Sequence, residues 1–461
     1  MSKDTNSSSF RLLTVYRRKM VRRLYLVAGT YEGVLAGWEL QNETKLKLTL
    51  ATGVHQGSIR SLALASTLDT PGTLLSTGYD EVAKTHDFAK AISESGEIRT
   101  PSDFGTPTCS AFAPKEAATH CLMGFAGGKL ALYKKRDWSV QHVLAGHDGG
   151  VSALAIHPSG KLALTGGITD GKVKLWDLTK GRLAYVTKIQ STGVKARKFE
   201  SVSSIVWSQD GSLYGWSYGS HVTVKDVASG RDLLDVDLGT TRINQIALIE
   251  GSFGIFCVGA GNDGSLPVLM VGGPDGEERK GMLAIEPVDG AVAREERFKC
   301  VQAVWDYHIV TANSAGVVSL MNLKGAVNMI VNGVDQESLE DESASVDTSQ
   351  SDSDDENQEE PAVEIVESVQ LGSGARITCL TAWFTDNASE AEIECIDTTP
   401  LEEAEVVAKE EIVQVDQRGD KRKAHEVEMD SAAVKKARAL VLQAKKIQKK
   451  KLKKDKKQKT Q

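Results

Sequence analysis

The chain has 461 residues, 41% of them hydrophobic, and a formal net charge of −7. That apolar content is ample for a core, yet no apolar run approaches the ~20 residues needed to span a bilayer. Arg17, Arg18, Lys19, Arg22 and Arg23 stand where a secretory signal needs an apolar stretch, so a soluble, non-secreted protein without membrane contact is expected.

From the N-terminus the chain reads as short strands of period-two hydrophobic alternation, punctuated by Gly and Asp clusters. The first unit closes on Trp38-Glu39, with Glu32 six residues before the tryptophan. The second has His55, Asp80 and then His86-Asp87, so histidine takes the tryptophan position. The third runs from about Thr108 to His142, with Tyr133 in the tryptophan slot and Gly127 in the acidic slot. The fourth, GHDGGVSALAIHPSGKLALTGGITDGKVKLWDL, is the most complete. It holds His147, an alternating strand through Val151, Leu154 and Ile156, a Pro-Ser-Gly turn, Thr165, Asp170 and a closing Trp176-Asp177. His55 to Leu62 matches His147 to Leu154 step for step. The fifth unit covers Val202 to Asp237 with Lys225-Asp226 in the dipeptide slot. The sixth starts near Arg242-Ile243 and is irregular, with Gly-rich turns expected at 259–264 and 272–276. The seventh covers roughly Val301 to Leu323, closing its third strand on Met321-Asn322.

The GH-to-WD spacing of the fourth unit is that of a WD40 repeat, one blade of a propeller. A four-stranded blade cannot bury both faces alone and must be stacked with others in a ring. The expected fold is therefore all-β, a seven-bladed WD40 propeller; six or eight blades stay open because the sixth is weakly marked. In such a blade His, a hydroxyl, Asp and Trp form a buried relay that satisfies polar groups inside the stack. His147, Thr165, Asp170 and Trp176 fit those positions, with a turn after Thr165 one residue longer than usual, and His55 and Asp80 fit in the second blade. The first blade lacks an inner strand next to its other three. Ala375 to Trp383 has the inner-strand pattern, and it is expected to supply that strand and leave no open edge.

Four segments follow: propeller blades over 10–334, an insertion over 335–367, the closing strand in 368–385 and a charged tail over 386–461. The insertion has no Lys or Arg from Asp335 to Glu367. Like charges so dense repel, and few apolar groups compensate, so it reads as a disordered acidic loop. Closing so long a loop adds only about 0.6 kcal/mol per doubling of length. Ser349, Ser351 and Ser353 each precede an acidic residue by three positions, which makes them candidates for an acidophilic kinase; phosphorylation would deepen the charge. The tail switches sign. Lys421-Arg422-Lys423 and Lys435-Lys436-Ala437-Arg438 have bipartite nuclear-import spacing, and Lys449, Lys450 and Lys451 extend the basic tract toward nucleolar retention, RNA phosphates or an acidic partner. Ala433, Ala437, Leu440, Ala444 and Ile447 step by four and three, which predicts a partly formed helix capped by Asp430 or Ser431 that orders on a partner.

No P-loop or HExxH is present, and no nucleophile, base and orienter share a recognisable spacing. Cys109, Cys121, Cys257, Cys300, Cys379 and Cys395 form no CxxC pair, and no histidine stands at metal-ligand spacing, so reduced intracellular thiols are expected rather than disulfides or zinc. The expectation is a non-enzyme with no catalytic, metal or cofactor site; a propeller enzyme acting at the channel mouth is the remote alternative.

The strong fourth blade, the late strand ARITCLTAWF after a divergent seventh, and the acidic insertion followed by a lysine-rich tail together resemble the nucleolar WD-repeat proteins that include the PAK-kinase-interacting protein of animals and its fungal relatives. The resemblance spans most of the chain. Blade six is expanded here and blade five lacks its Trp, which leaves any binding surface in those blades untransferred. The resemblance implies a non-catalytic scaffold in large ribosomal subunit biogenesis, located in the nucleus and nucleolus. Such a scaffold would be a monomer within a larger particle, contacting pre-ribosomal assembly factors and precursor rRNA. The alternative it implies is an adaptor that binds and restrains a PAK-type kinase.

Overall fold

The computed structural model describes residues 17–18, 23–42, 44–65, 72–87, 93–113, 118–189, 201–239, 241–272, 280–284, 297–332, 363–372, 374–385 and 393–394. They form seven four-stranded antiparallel sheets and a two-stranded one that pairs Arg17–Arg18 with Ile393–Glu394. Blade two runs outward through Ile59–Ala65, Thr73–Gly78, Val82–Asp87 and Ser93–Arg99, and blade three through Pro107–Phe112, His120–Phe125, Lys129–Lys134 and Val140–Ala145. Blade four follows with Val151–Ile156, Leu162–Gly167, Lys172–Asp177 and Arg182–Lys188, then blade five with Val202–Trp207, Leu213–Tyr218, His221–Asp226 and Asp232–Asp237. Blade six comprises Ile243–Gly251, Gly254–Gly261, Ser265–Val271 and Lys280–Ala284. Consecutive inner strands pack side by side, and the last meets the first, so the ring is closed.

Closure comes from both ends of the chain. The inner strand of blade one is Ile377–Thr385, paired antiparallel with Arg23–Thr30, and Val34–Gln41 and Lys45–Gly53 complete the sheet. Tyr25 packs on Trp383 with ring centroids 5.6 Å apart, and Trp305 of blade seven meets Phe384. Hydrogen bonds between distant segments thus complete the ring and leave only the short edges of the individual blades.

Blade seven departs from the sequence reading. Its first three strands are Phe298–Ala303, His308–Asn313 and Val317–Asn322, and its outer strand is Glu364–Gln370. The acidic insertion therefore ends before Glu364 and not at Glu367. Glu364 and Glu367 look like part of the charged run, but an outermost strand shows one face to water and tolerates them: Glu364 is exposed and Ile365, Val366 and Val369 are partly covered. A helix, Lys324–Asn332, precedes the insertion; Asn322 accepts the Lys324 N–H at 3.1 Å and caps it, and Ala326 and Val327 are buried against blades six and seven. Blade six is more regular than its composition suggests. Gly259 and Gly261 lie within its second strand, and the turn is confined to 262–264. A Cβ at Gly259 would come 3.0 Å from the Pro267 ring, so the glycine serves close strand packing rather than a turn.

The apolar core is distributed between neighbouring blades. Leu122, Leu130 and Leu132 of blade three meet Val151, Ala163 and Trp176 of blade four, for example. Backbone contacts reinforce each seam. Gly128, at φ +82°, turns blade three between its second and third strands, and a Cβ there would lie 2.0 Å from the His147 carbonyl oxygen of blade four. The His147 N–H donates to the Gly128 carbonyl at 2.8 Å. Only glycine allows both the left-handed turn and this approach. No helix among the described residues is long and apolar enough to cross a membrane.

Candidate functional site

In blade four, loop 146–150 brings His147 over the second strand, and the turn 168–171 brings Asp170 to meet it. Trp176 Nε1 donates to Thr165 Oγ1 at 2.8 Å; Thr165 lies 2.8 Å from His147 Nε2; His147 Nδ1 lies 2.9 Å from an Asp170 oxygen. The bonds assign every proton. The indole uses its one N–H on Thr165, the hydroxyl donates to His147 Nε2, and Nδ1–H donates to the carboxylate, so the histidine is neutral. Burial holds the His147 pKa below its ordinary value, against the opposing pull of Asp170. The turn holding Asp170 has four residues where its counterpart in blade two, 79–81, has three. At Gly167 a Cβ would stand 1.9 Å from Asp170 Oδ1, so the carboxylate occupies the space a side chain would need.

Blade two builds the same chain with one exchange. His55 Nδ1 meets Asp80 at 3.0 Å, His55 Nε2 meets Ser76 Oγ at 2.9 Å, and Ser76 Oγ meets His86 Nε2 at 2.9 Å. His86 stands in for the indole as donor through Nε2–H. Its other nitrogen, Nδ1, is buried without a partner, and burial pushes its pKa down to about 4. Blades one and three carry ring residues without the rest. Trp38 Nε1 and the Tyr133 hydroxyl are buried with no partner, because Ala28 and Met123 occupy the second-strand position that Thr165 holds in blade four. Glu32 turns outward to Arg376 at 3.9 Å. All these relay groups lie inside sheets, so their task is to fix blade geometry and not to meet a ligand.

A second constellation is open to solvent. In each blade the register slips at the second residue of the inner strand, leaving Arg60, Thr108, Ser152, Ser203, Asn244, Lys299 and Thr378 unpaired in the ladder. These bulges sit at one mouth of the central channel; Arg60, Thr108, Ser152 and Thr378 line a common open depression of about 320 Å³. A bulge re-aims a side chain out of the ladder. Several of these side chains tie blade to blade. Thr108 donates to the Val151 carbonyl at 2.6 Å, Thr378 to that of Ile59 at 2.6 Å, and Asn244 to that of Phe298 at 2.6 Å. Sequence reasoning did not single out this ring. Its signal is the residue just after the first apolar position of each inner strand, visible only once the seven strands are aligned.

Lys421, Arg422, Lys423, Lys435, Lys436, Arg438, Lys449, Lys450 and Lys451, the helical stripe beside them, and Ser349, Ser351 and Ser353 lie outside the described residues. Cys109, Cys121, Cys257, Cys300 and Cys379 are unpaired, and burial raises each thiol pKa. No group of three or more His, Cys, Asp or Glu that could hold a metal ion occurs among the described residues.

The WD domain, G-beta repeat family matches residues 138–177, the first three strands of the fourth blade with the outer strand of the third before them. The chain is similar to three proteins named for kinase binding. One is the p21-activated protein kinase-interacting protein 1-like of Xenopus laevis, 31% identical over 42% of this chain and 49% of that protein. The chain thus spans about half of that relative. Its counterpart in Gallus gallus is 26% identical over 80% of this chain and 83% of its own length. The Shk1 kinase-binding protein 15 of Schizosaccharomyces pombe is 24% identical over 64% and 77%. The chain is a seven-bladed β-propeller with one matching WD repeat, and it resembles the PAK-interacting WD-repeat proteins.

Proposed function

We propose that this chain is a non-catalytic scaffold whose propeller binds a protein kinase of the p21-activated class. The observation that carries the reading is the similarity to kinase-interacting relatives in a frog, a bird and a fission yeast, which in the bird covers 80% of this chain. The geometry is compatible: the polar chemistry inside blades two and four is consumed in relays, and the exposed groups are suited to recognition. The test is co-purification of the full chain with a purified kinase of that class. A stable complex that also lowers kinase turnover supports the adaptor; failure to retain the kinase overturns it.

A second reading is assembly of the large ribosomal subunit in the nucleolus, through pre-ribosomal factors and precursor rRNA. The lysine-rich tail from Lys421 to Lys451 favours it, because a kinase adaptor has no need of so long a basic tract. Affinity purification with crosslinking should then recover large-subunit precursor rRNA. Deleting 418–461 should disperse the protein from the nucleolus while leaving the propeller folded. Retention of the truncated protein there would remove the tail as the address.

A further inference from the structure

We infer that the channel mouth on blades six, seven, one and two docks an acidic peptide segment of a partner protein. This does not depend on which protein supplies the peptide. Two sequence positions per blade reach this rim: the residue just before the inner strand and the bulged residue within it. On blades three, four and five they are Thr106 and Thr108, Gly150 and Ser152, and Ser201 and Ser203, none of them charged. On the other four blades the same positions hold Arg242, Arg297 with Lys299, Arg376 and Arg60. Five cations therefore occupy one continuous arc of a rim whose remainder is neutral.

Three of the hydroxyl and amide members of the ring, Thr108, Thr378 and Asn244, spend their donors on neighbouring blades. The cations do not. Arg60, Arg242 and Arg297 are exposed, and no acidic side chain pairs with them or with Lys299 among the described residues. Arg297 and Arg242 lie near enough to Lys299 to add, after its partial burial, to the lowering of its pKa. Like charges held this close raise the free energy of the unoccupied rim, and an anion removes that cost. The acidic groups beside the arc are mostly engaged already: Glu32 with Arg376, Asp80 with His55, and Asp263 with Thr241 and Ser265. Glu81 is exposed in the turn of blade two. Glu295 and Glu296 precede Arg297 in sequence, outside the described residues.

The occupant follows from what flanks the arc. Tyr31 and Tyr79, in the corresponding turns of blades one and two, are 56% and 65% exposed, the two most exposed large hydrophobic side chains described. The Arg376 guanidinium lies 4.9 Å over the Tyr31 ring, so that face is taken and offers no stacking platform for a base. The depression at Arg60 has room for one or two side chains. Arginines present planar forks that match carboxylates, and Tyr79 can cover an apolar side chain next to them. A peptide with several Glu or Asp residues beside one aromatic fits this set; a stacked nucleic acid strand does not.

The test uses the full chain with benzoylphenylalanine in place of Tyr79, and a biotinylated twelve-residue peptide of Glu and Asp ending in Phe. Photocrosslinking at position 79 reports the rim alone and ignores any binding by the basic tail. The expected result is a crosslink that is reduced roughly tenfold at a fixed peptide concentration by Arg60→Glu with Arg297→Glu, and unchanged by Arg182→Glu on the outer strand of blade four. Unshifted melting curves for the charge variants, whose side chains make no bonds in the fold, exclude unfolding as the cause. Equal crosslinking in the Arg60→Glu, Arg297→Glu variant overturns the proposal. So does a single-stranded oligouridylate that crosslinks at position 79 in preference to the peptide.

Discussion

Blades two and four carry the same polar chain, Asp to His to hydroxyl to ring N–H, and differ chiefly in the last member. In blade four the ring is Trp176, an indole with one N–H and no acceptor, so every polar atom in the chain is used. In blade two it is His86, which gives the same N–H but carries a second nitrogen that finds nothing to bond. The exchange keeps the geometry and adds a titratable, half-satisfied group to the core. It teaches that in a complete relay the tryptophan position has to supply a donor, and that the choice of donor decides how strongly the blade senses pH. Removing the shared hydroxyl of blade four should be the most damaging change. Thr165→Ala leaves both His147 Nε2 and Trp176 Nε1 buried without partners, a cost of roughly 2–6 kcal/mol at 1–3 kcal/mol for each orphaned group. Chemical denaturation of wild type and variant measures it, and a loss under 1 kcal/mol would break the assignment of the relay.

The pH response should come mainly from blade two. The folded-state pKa of His86, about 4, lies below the ordinary value of 6.5, so the fold prefers the neutral ring. The stability it contributes is fully present above pH 6.5 and is lost as pH falls from 6.5 through 4, on the order of 3 kcal/mol in all. His55 and His147 have the same sign, each lowered by burial, but each has an aspartate that offsets part of the effect. His86→Gln keeps a donor for Ser76 and cannot titrate. Melting temperatures at pH 7 and pH 4.5 should therefore differ less in the variant than in wild type. The same difference in both would move the acid sensitivity elsewhere.

The two aspartates sharpen the comparison further. Asp170 has 2% of its side chain exposed and Asp80 has 16%. Water can replace the second and hardly the first. Asp170→Ala should cost about 2 kcal/mol and Asp80→Ala about 1 kcal/mol. Equal losses would mean that solvent access does not distinguish the two blades.

How much of this the sequence revealed depends on whether a residue announces its partner. His147, Asp170 and Trp176 do, because the spacing of three rare residue types in one strand–turn–strand unit has few other uses, and His55 with Asp80 repeats it. The closing strand was legible from Ile377 to Trp383 because a sheet with three strands and a missing inner one demands a fourth. Glu364–Gln370 was hidden, because the outermost strand of a blade faces water and its acidic residues merge with the charged run before it. The helix Lys324–Asn332 was hidden for a different reason. It is short and buries two residues, and helices of that length are marginal without the tertiary surface beneath them. The rim cations carry no local signature at all. Arg60, Lys299 and the arginines before the strands are ordinary surface residues until the ring brings blades six, seven, one and two together.

The smallest expected effect concerns the turn that presents Asp80. Six of the seven blades place glycine at the left-handed position between the second and third strands, among them Gly171 in blade four at φ +56°. Blade two has Glu81 there at φ +62°. A side chain in this conformation costs about 1–2 kcal/mol relative to its preferred backbone. Glycine would remove that cost but would lose about 0.5–1 kcal/mol more entropy on folding. The balance favours Glu81→Gly by a few tenths to about 1 kcal/mol, visible as a small rise in the denaturation midpoint with an unchanged slope. If stability falls instead, the Glu81 side chain makes a favourable contribution that its exposed position conceals, and the charge it brings to the basic rim is where to look for it.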